Sequence, residues 1–405
     1  LKKEGKNIMK VKVWKLLSLI LITIFAMSAV SMVHAIPTLS ISSEITGLLT
    51  SSTAYNGYGT NTMAYDSGQH EIFVTGFGFG NNVSVVSDNT NKVVASVSIP
   101  DVGGIRGIAY NSGMNEIFVA SGYATSMGEA PTVTVISDSS LELVANLTSS
   151  HWWSPWAVAY DSGQHKIFVT DAGPTNGNQP GGVYAISDNN NAISEGILVG
   201  VFPKAIAYDS GMSEIFVGNI VSKTVSVIAD SNNTVVTTIN MEGYPSALAY
   251  DPNKGLIFVA DSYANSVYVI SDKTNTVVAT VTGLSGVAGI AYDSAKGEIF
   301  AGNSVISDAP NYAIVATVPE AFGSVVYDSG AGKIFGAGST AIDVISDSSS
   351  PSTSSNPTSS PSYGSSPSPT VPEFTSAAIF SAAAVGVVSL CAVAVAMRTR
   401  KKLRK

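Results

Sequence analysis

One twelve-residue phrase recurs seven times in this chain of 405 residues: "MAYDSGQHEIFV", "IAYNSGMNEIFV", "VAYDSGQHKIFV", "IAYDSGMSEIFV", "LAYDPNKGLIFV", "IAYDSAKGEIFA" and "VVYDSGAGKIFG". Its tyrosines are Tyr65, Tyr110, Tyr160, Tyr208, Tyr250, Tyr292 and Tyr327. A phenylalanine follows each of them by eight residues, at Phe73, Phe118, Phe168, Phe216, Phe258, Phe300 and Phe335. A spacing that never varies implies a hairpin of fixed length, two short apolar strands around a tight turn. A third strand follows ("VSVVSD", "VTVISD", "VYVISD", shortened to "SVISD" in the sixth unit), and then a fourth ("NKVVASVSI", "NTVVTTI", "NTVVATV"). Period-2 alternation and β-branched residues exclude helical repeats. A single four-stranded unit cannot bury both faces, but a closed ring of units can. The predicted fold is therefore all-β, a seven-bladed β-propeller over residues 36–347.

The seventh unit runs into a Ser/Pro tract after Asp347 and lacks a fourth strand. The stretch "LSISSEITGLL", 39–49, reads as the missing strand, closing blade seven and leaving no open sheet edge at the join. The segment "GLIFVADSYANSVYVISDKTNTVVATV", 255–281, resembles the YVTN-type β-propeller repeat of archaeal surface-layer-related proteins. The resemblance covers roughly 39–347, with the tetrapeptide altered to "FVTG", "FVTD" or "FVGN" and blade six shortest and least typical. It implies a seven-bladed, extracellular, non-catalytic domain.

Both ends read as membrane signals. Lys10, Lys12 and Lys15 precede the apolar run 16–33, which ends in "VHA", so residues 1–35 are expected to be a signal peptide cleaved after Ala35, with Met9 the more natural start. Residues 348–370 are nearly all Ser, Thr and Pro, a stalk on the order of 70 Å if fully extended. Residues 375–397 carry no charge and precede "RTRKKLRK", as in a transmembrane helix with a cytoplasmic basic tail. The "VPEF" at 371–374 resembles an archaeal PEF-type sorting signal, which implies that the anchor is replaced by lipid; a retained helix is the other reading. Either one tethers the propeller outside the membrane.

Charge narrows the partners. Of 21 Lys/Arg and 29 Asp/Glu, six basic residues and one acid lie in 1–35, and six and one in 371–405, leaving nine basic against 27 acidic between them. Such an ectodomain is not built for nucleic acid. The single cysteine, Cys391, lies in the C-terminal apolar run, so the propeller has no disulfide or thiolate metal site. His70 and His165 share a turn position with Asn115, Ser213, Gly255, Gly297 and Gly332, a mixture that predicts left-handed backbone. The recurring turn acids are read as caps for backbone N–H groups, with Ca2+ a secondary reading; no EF-hand spacing appears and no other cofactor is expected.

The tight turns lie on one face and the loops of varying length on the other, which makes the variable face the candidate binding surface. That face carries "HWWSPW", 151–156, with three of the four tryptophans. The residue four before each repeat Tyr forms a ring at the channel mouth: Asn61, Arg106, Trp156, Lys204, Ser246, Ala288 and Gly323. Arg106, Trp156 and Lys204 fall on consecutive blades, and Trp152 and Trp153 extend the patch outward. With His151 these are the candidate ligand residues, suited to a glycan or to a protein partner's aromatic side chain. The alternative is that the indoles fold inward as packing. Asn82, Asn146 and Asn232 open N-glycosylation sequons. The expected function is that of an extracellular binding or cell-envelope structural protein. The competing reading is a metal-dependent lactonase- or lyase-like propeller, although the channel ring contains no carboxylate or histidine.

Overall fold

The computed structural model describes residues 36–48, 63–75, 81–100, 102, 104–122, 130–174, 179–338 and 341–346. They belong to a compact unit, Leu1–Ser349; the second unit, Ser350–Lys405, lies outside the described residues. The expected signal peptide, stalk, "VPEF" motif and apolar segment 375–397 also fall outside them. Among the described residues no helix is long and apolar enough to cross a membrane.

Seven four-stranded antiparallel sheets form a seven-bladed β-propeller. Blade three is representative, running outward through Pro155–Asp161, Lys166–Asp171, Pro180–Ser187 and Ile197–Val201. The innermost strands pack side by side around the ring, the first blade's against the seventh's included. Blade seven takes Ser324–Asp328, Lys333–Ala337 and Ala341–Ser346 from the end of the chain and Ile41–Thr46 from its beginning. The added strand runs antiparallel, with Glu44 opposite Asp343 and Ile45 opposite Ile342. Just before it, Leu39 donates its N–H to the carbonyl of Thr317 and Thr317 donates to that of Pro37, so the chain covers the edge of blade six on its way to blade seven.

The repeated Phe is the main inter-blade core residue, buried in all seven blades. Phe73 of blade one packs with Ile117, Val119 and Ile136 of blade two. Phe335 of blade seven packs with Ile72, Val74 and Val86 of blade one, so the closing junction is built like the others. Burying a side chain of this size contributes about 1.5–3 kcal/mol at each junction.

The turns explain the rest of the phrase. The fifth residue after each repeat Tyr has positive φ in every blade: His70 at 61°, Asn115 at 56°, His165 at 54°, Ser213 at 57°, Gly255 at 65°, Gly297 at 66° and Gly332 at 60°. His70 and His165 are thus turn residues, each with Nδ1 within 3.4 Å of a second-turn acid of its own blade, Asp88 or Asp188. Each first-turn acid caps its own turn: Asp161 Oδ1 accepts the N–H of Gly163 at 2.8 Å and of Gln164 at 3.0 Å. Asp66, Asn111, Asp209, Asp251, Asp293 and Asp328 repeat the pattern.

The repeat Tyr reaches back to the preceding blade. The hydroxyls of Tyr110, Tyr208 and Tyr250 lie against the turn glycines Gly68, Gly163 and Gly211 of the blade before, and that of Tyr65 against Gly330, spanning the closure. Burial and the nearby acids Asp66, Asp161, Asp209 and Asp328 raise the pKa of these hydroxyls. Second-turn acids face the same junctions, beyond the local capping expected of them. Asp138 and Asp230 lie close enough to Asp66 and Asp161 of the blade before to feel their charge. Burial, and then the neighbouring blade's acid, raises the carboxyl pKa of both.

Candidate functional site on the variable face

The tryptophan loop leads from the outer strand of blade two, Leu143–Thr148, into the inner strand of blade three. One acid of blade three organises it. Asp171, the last residue of the second strand, accepts N–H groups from Trp153 at 2.7 Å, Ser154 at 2.9 Å and Gly173 at 2.8 Å. Burial raises the pKa of this carboxyl, and the three N–H bonds act against that rise.

The structure divides the predicted patch in three. Trp152 turns inward and is only 5% exposed. It packs with Phe118, Val133 and Val158 at the junction of blades two and three, edge-on to Tyr184 with centroids 6.0 Å apart. The position of Trp152 in the core corrects its expected place on the outer surface, because the Asp171 anchor directs successive side chains of the loop to opposite sides. Trp153 turns outward and is 55% exposed. With exposed His151, Tyr184, Pro174, Pro180 and Leu198 it lines a cleft of about 190 Å³. The Tyr184 hydroxyl donates to the backbone carbonyl of His151 at 3.2 Å, which fixes that wall. Gly196 is required there, since a Cβ would stand 2.9 Å from the Tyr184 ring. The cleft admits one ring-sized group and is smaller than the pockets of about 300 Å³ upward that hold drug-sized ligands.

Arg106, Trp156 and Lys204 form a separate cluster at the channel. Trp156 is 8% exposed and packs with Ala157, Phe168, Ile206 and Val217 between blades three and four. Lys204 Nζ lies 3.6 Å from the centroid of its ring, Arg106 Cζ 4.5 Å, and Phe202 sits beside it at 6.0 Å. Burial, then the charge of Arg106, lowers the Lys204 pKa to about 7, and burial also lowers that of Arg106. Asn61, the ring residue of blade one, lies outside the described residues.

The sequon asparagines Asn82, Asn146 and Asn232 are all exposed. Asn146 lies on the outer strand of blade two, accepting a hydrogen bond from Thr134 at 2.9 Å, and Asn232 Oδ1 accepts from its own sequon's Thr234 hydroxyl at 2.7 Å. Among the described residues, no group of three or more His, Cys, Asp or Glu side chains is placed to share a metal ion.

Asp171, Tyr184 and Leu198 were not among the residues expected at the site. For Asp171 a signal exists: "TDAG" and "ADSY" put an acid at the same blade position, and Asp261 likewise caps its own loop through Tyr263 and Ala264. Tyr184 and Leu198 carry no such signal, because they reach the cleft from other strands of the blade. The chain matches no protein-family model and no curated protein in sequence comparison.

Proposed function

We propose that this chain is a non-catalytic, membrane-tethered propeller that recognises a glycan or protein outside the cell through its variable face. The supporting observation is the cleft beside Trp153: an exposed indole, a histidine and an ordered tyrosine around a ring-sized space, held by a buried carboxylate. An aromatic face beside polar groups suits a sugar ring or a single aromatic side chain of a partner. The leader-like 1–35, the Ser/Pro stalk and the apolar 375–397 support extracellular display, with the anchor either retained or exchanged for lipid at "VPEF". The resemblance of 255–281 to YVTN-type repeats favours an archaeal cell-envelope setting.

The test is a screen of the full chain against glycans and envelope proteins, repeated with Trp153→Ala. Loss of a ligand by at least tenfold without a change in melting temperature supports the reading. A ligand bound equally by parent and Trp153→Ala overturns the assignment to this cleft.

A further inference from the structure

We propose that the junction between blades four and five holds a divalent metal cation of the Ca2+ type, bound by the Glu214 carboxylate, the side-chain oxygen of Asn275 and the backbone carbonyl of Asp272. The site lies on the tight-turn face, away from the cleft at Trp153, and does not rest on that cleft's role.

Two other junctions show what this position accepts. Lys166 is the sixth residue after the repeat Tyr of blade three. Its Nζ reaches across to blade four, donating to the Asp230 carbonyl at 2.7 Å and to Asn233 Oδ1 at 3.4 Å. Lys333, at the same position of blade seven, donates in the same way to the Asp88 carbonyl and to Asn91 Oδ1, the latter at 3.1 Å. The repeat thus builds a pair of oxygens that holds a cation between blades: the carbonyl of a second-turn acid and the side chain of the asparagine three residues on. Asn91, Asn233 and Asn275 share the left-handed backbone that sets this geometry, with φ of 52°, 56° and 52°.

Blade four has Glu214 at that position, facing Asn275 of blade five. The Asn275 amide donates to Glu214 at 3.4 Å, a long bond, while its own oxygen is buried with no hydrogen-bond partner among the described residues. Rotating the amide about its last bond turns that oxygen to where the ammonium stands at the lysine junctions. Acids gather around it. Asp209 of blade four is 0% exposed and Asp272 of blade five 4%, each with one carboxylate oxygen buried and unpartnered among the described residues. Burial raises the Glu214 carboxyl pKa, the Asn275 bond opposes the rise, and the charges of Asp209, Asp272 and Asp230 add to it. Exposed Lys273 acts on Asp272 in the opposite sense. Negative charge is thus concentrated where two other blades place an ammonium.

The donors are all hard oxygens, a carboxylate, an amide and a carbonyl, which is the set that Ca2+ takes, with water completing about six to eight ligands. Asp209 and Asp272 contribute charge rather than carboxylate ligands, so the site needs no convergence of three acidic side chains. Glu116 of blade two and Asn191 of blade three hold the same two positions at the junction before. The first-turn residue there is Asn111 in place of an acid, so charge favours the junction of blades four and five.

The test uses the full chain, stripped with EDTA and exchanged into metal-free buffer, with CaCl2 as probe against NaCl at matched ionic strength, read by melting temperature. Ca2+ is expected to raise the melting temperature of the parent saturably, with its midpoint on the order of 10−4–10−3 M, the range of the weaker Ca2+ modules. Glu214→Gln is expected to shift that midpoint at least tenfold upward. Glu214→Lys copies the junction of blades three and four, so it is expected to melt above the parent without metal and to lose the response to Ca2+. If one variant fails to fold, the other carries the comparison. No saturable response in the parent overturns the proposal. So does a response of equal size and midpoint in a folded variant, which would place the cation elsewhere.

Discussion

The carboxylate of Asp171 receives the N–H of Trp153 at 2.7 Å, so the exposed indole is positioned by an acid 18 residues further along the chain, on the neighbouring strand of blade three. With Ser154 and Gly173 also bound, the carboxylate ties the start of one variable-face loop to the end of another.

Asp171→Ala is therefore expected to release both loops. Three hydrogen bonds to a buried charge are lost and their N–H groups are left to find water, a combined cost of about 3 kcal/mol. Urea unfolding measures that loss, and ligand binding at the Trp153 cleft is expected to fall with it. Asp171→Asn keeps one acceptor oxygen and is expected to lose about half as much.

Much of this architecture is legible in the sequence, because a repeat states its period openly. The constant Tyr-to-Phe spacing marks seven hairpins, the Gly/Asn/His mixture marks the left-handed turn position, and the unmatched strand before the first repeat marks the closure. What a repeat does not state is which neighbour each residue meets. "YDSG" reads as a local turn, yet the Tyr208 hydroxyl lies against Gly163 of the blade before. The tryptophan run was divisible only in three dimensions, since Asp171 and the bulge after Pro155 send Trp152, Trp153 and Trp156 into three environments.

Lys204 should give stability an alkaline limb. Its pKa is about 7 in the fold and about 10.4 in an unfolded chain. Between those values the unfolded state binds more protons, so stability rises with pH across the window, and below pH 7 the full cost of the buried charge is present. Lys204→Met is expected to flatten the melting temperature from pH 7 to 10 and to exceed the parent at pH 6. A parent that melts no higher at pH 9 than at pH 7, relative to this variant, would count against the buried ammonium.

Asp343 should give the opposite slope on the acid side. Burial, then a hydrogen bond with Glu320, then the charges of Glu320 and Glu44, raise its pKa to about 7. From about pH 4, where an unfolded Asp ionises, up to pH 7 the folded state holds the extra proton, so stability falls as pH rises. Glu44 lies on the closing strand directly opposite Asp343, which couples this titration to closure of the ring. Asp343→Asn keeps a donor for Glu320 at every pH. It is expected to remove the slope between pH 4 and 7 and to raise the urea midpoint at pH 8.

The tyrosine links between blades can be tested by a double-mutant cycle. A Cβ added at Gly163 stands 2.5 Å from the Tyr208 hydroxyl of the next blade, too close without displacing the ring, although Gly163 has no positive φ of its own. Alanine at that position is thus compatible with the backbone and objectionable only for what it touches. Gly163→Ala alone is expected to cost about 1–3 kcal/mol, the range for overpacking. Tyr208→Phe alone removes the hydroxyl that packs against Gly163 and is expected to cost about 1 kcal/mol or less. In the double variant the hydroxyl that obstructs the new methyl group is absent, so the combined loss falls short of the sum of the separate ones by about 0.5 kcal/mol or more, the scale of direct coupling being about 0.5–3 kcal/mol. Strict additivity in urea unfolding would mean that the tyrosine does not bear on the preceding turn, and the glycine of "YDSG" would then need a purely local cause.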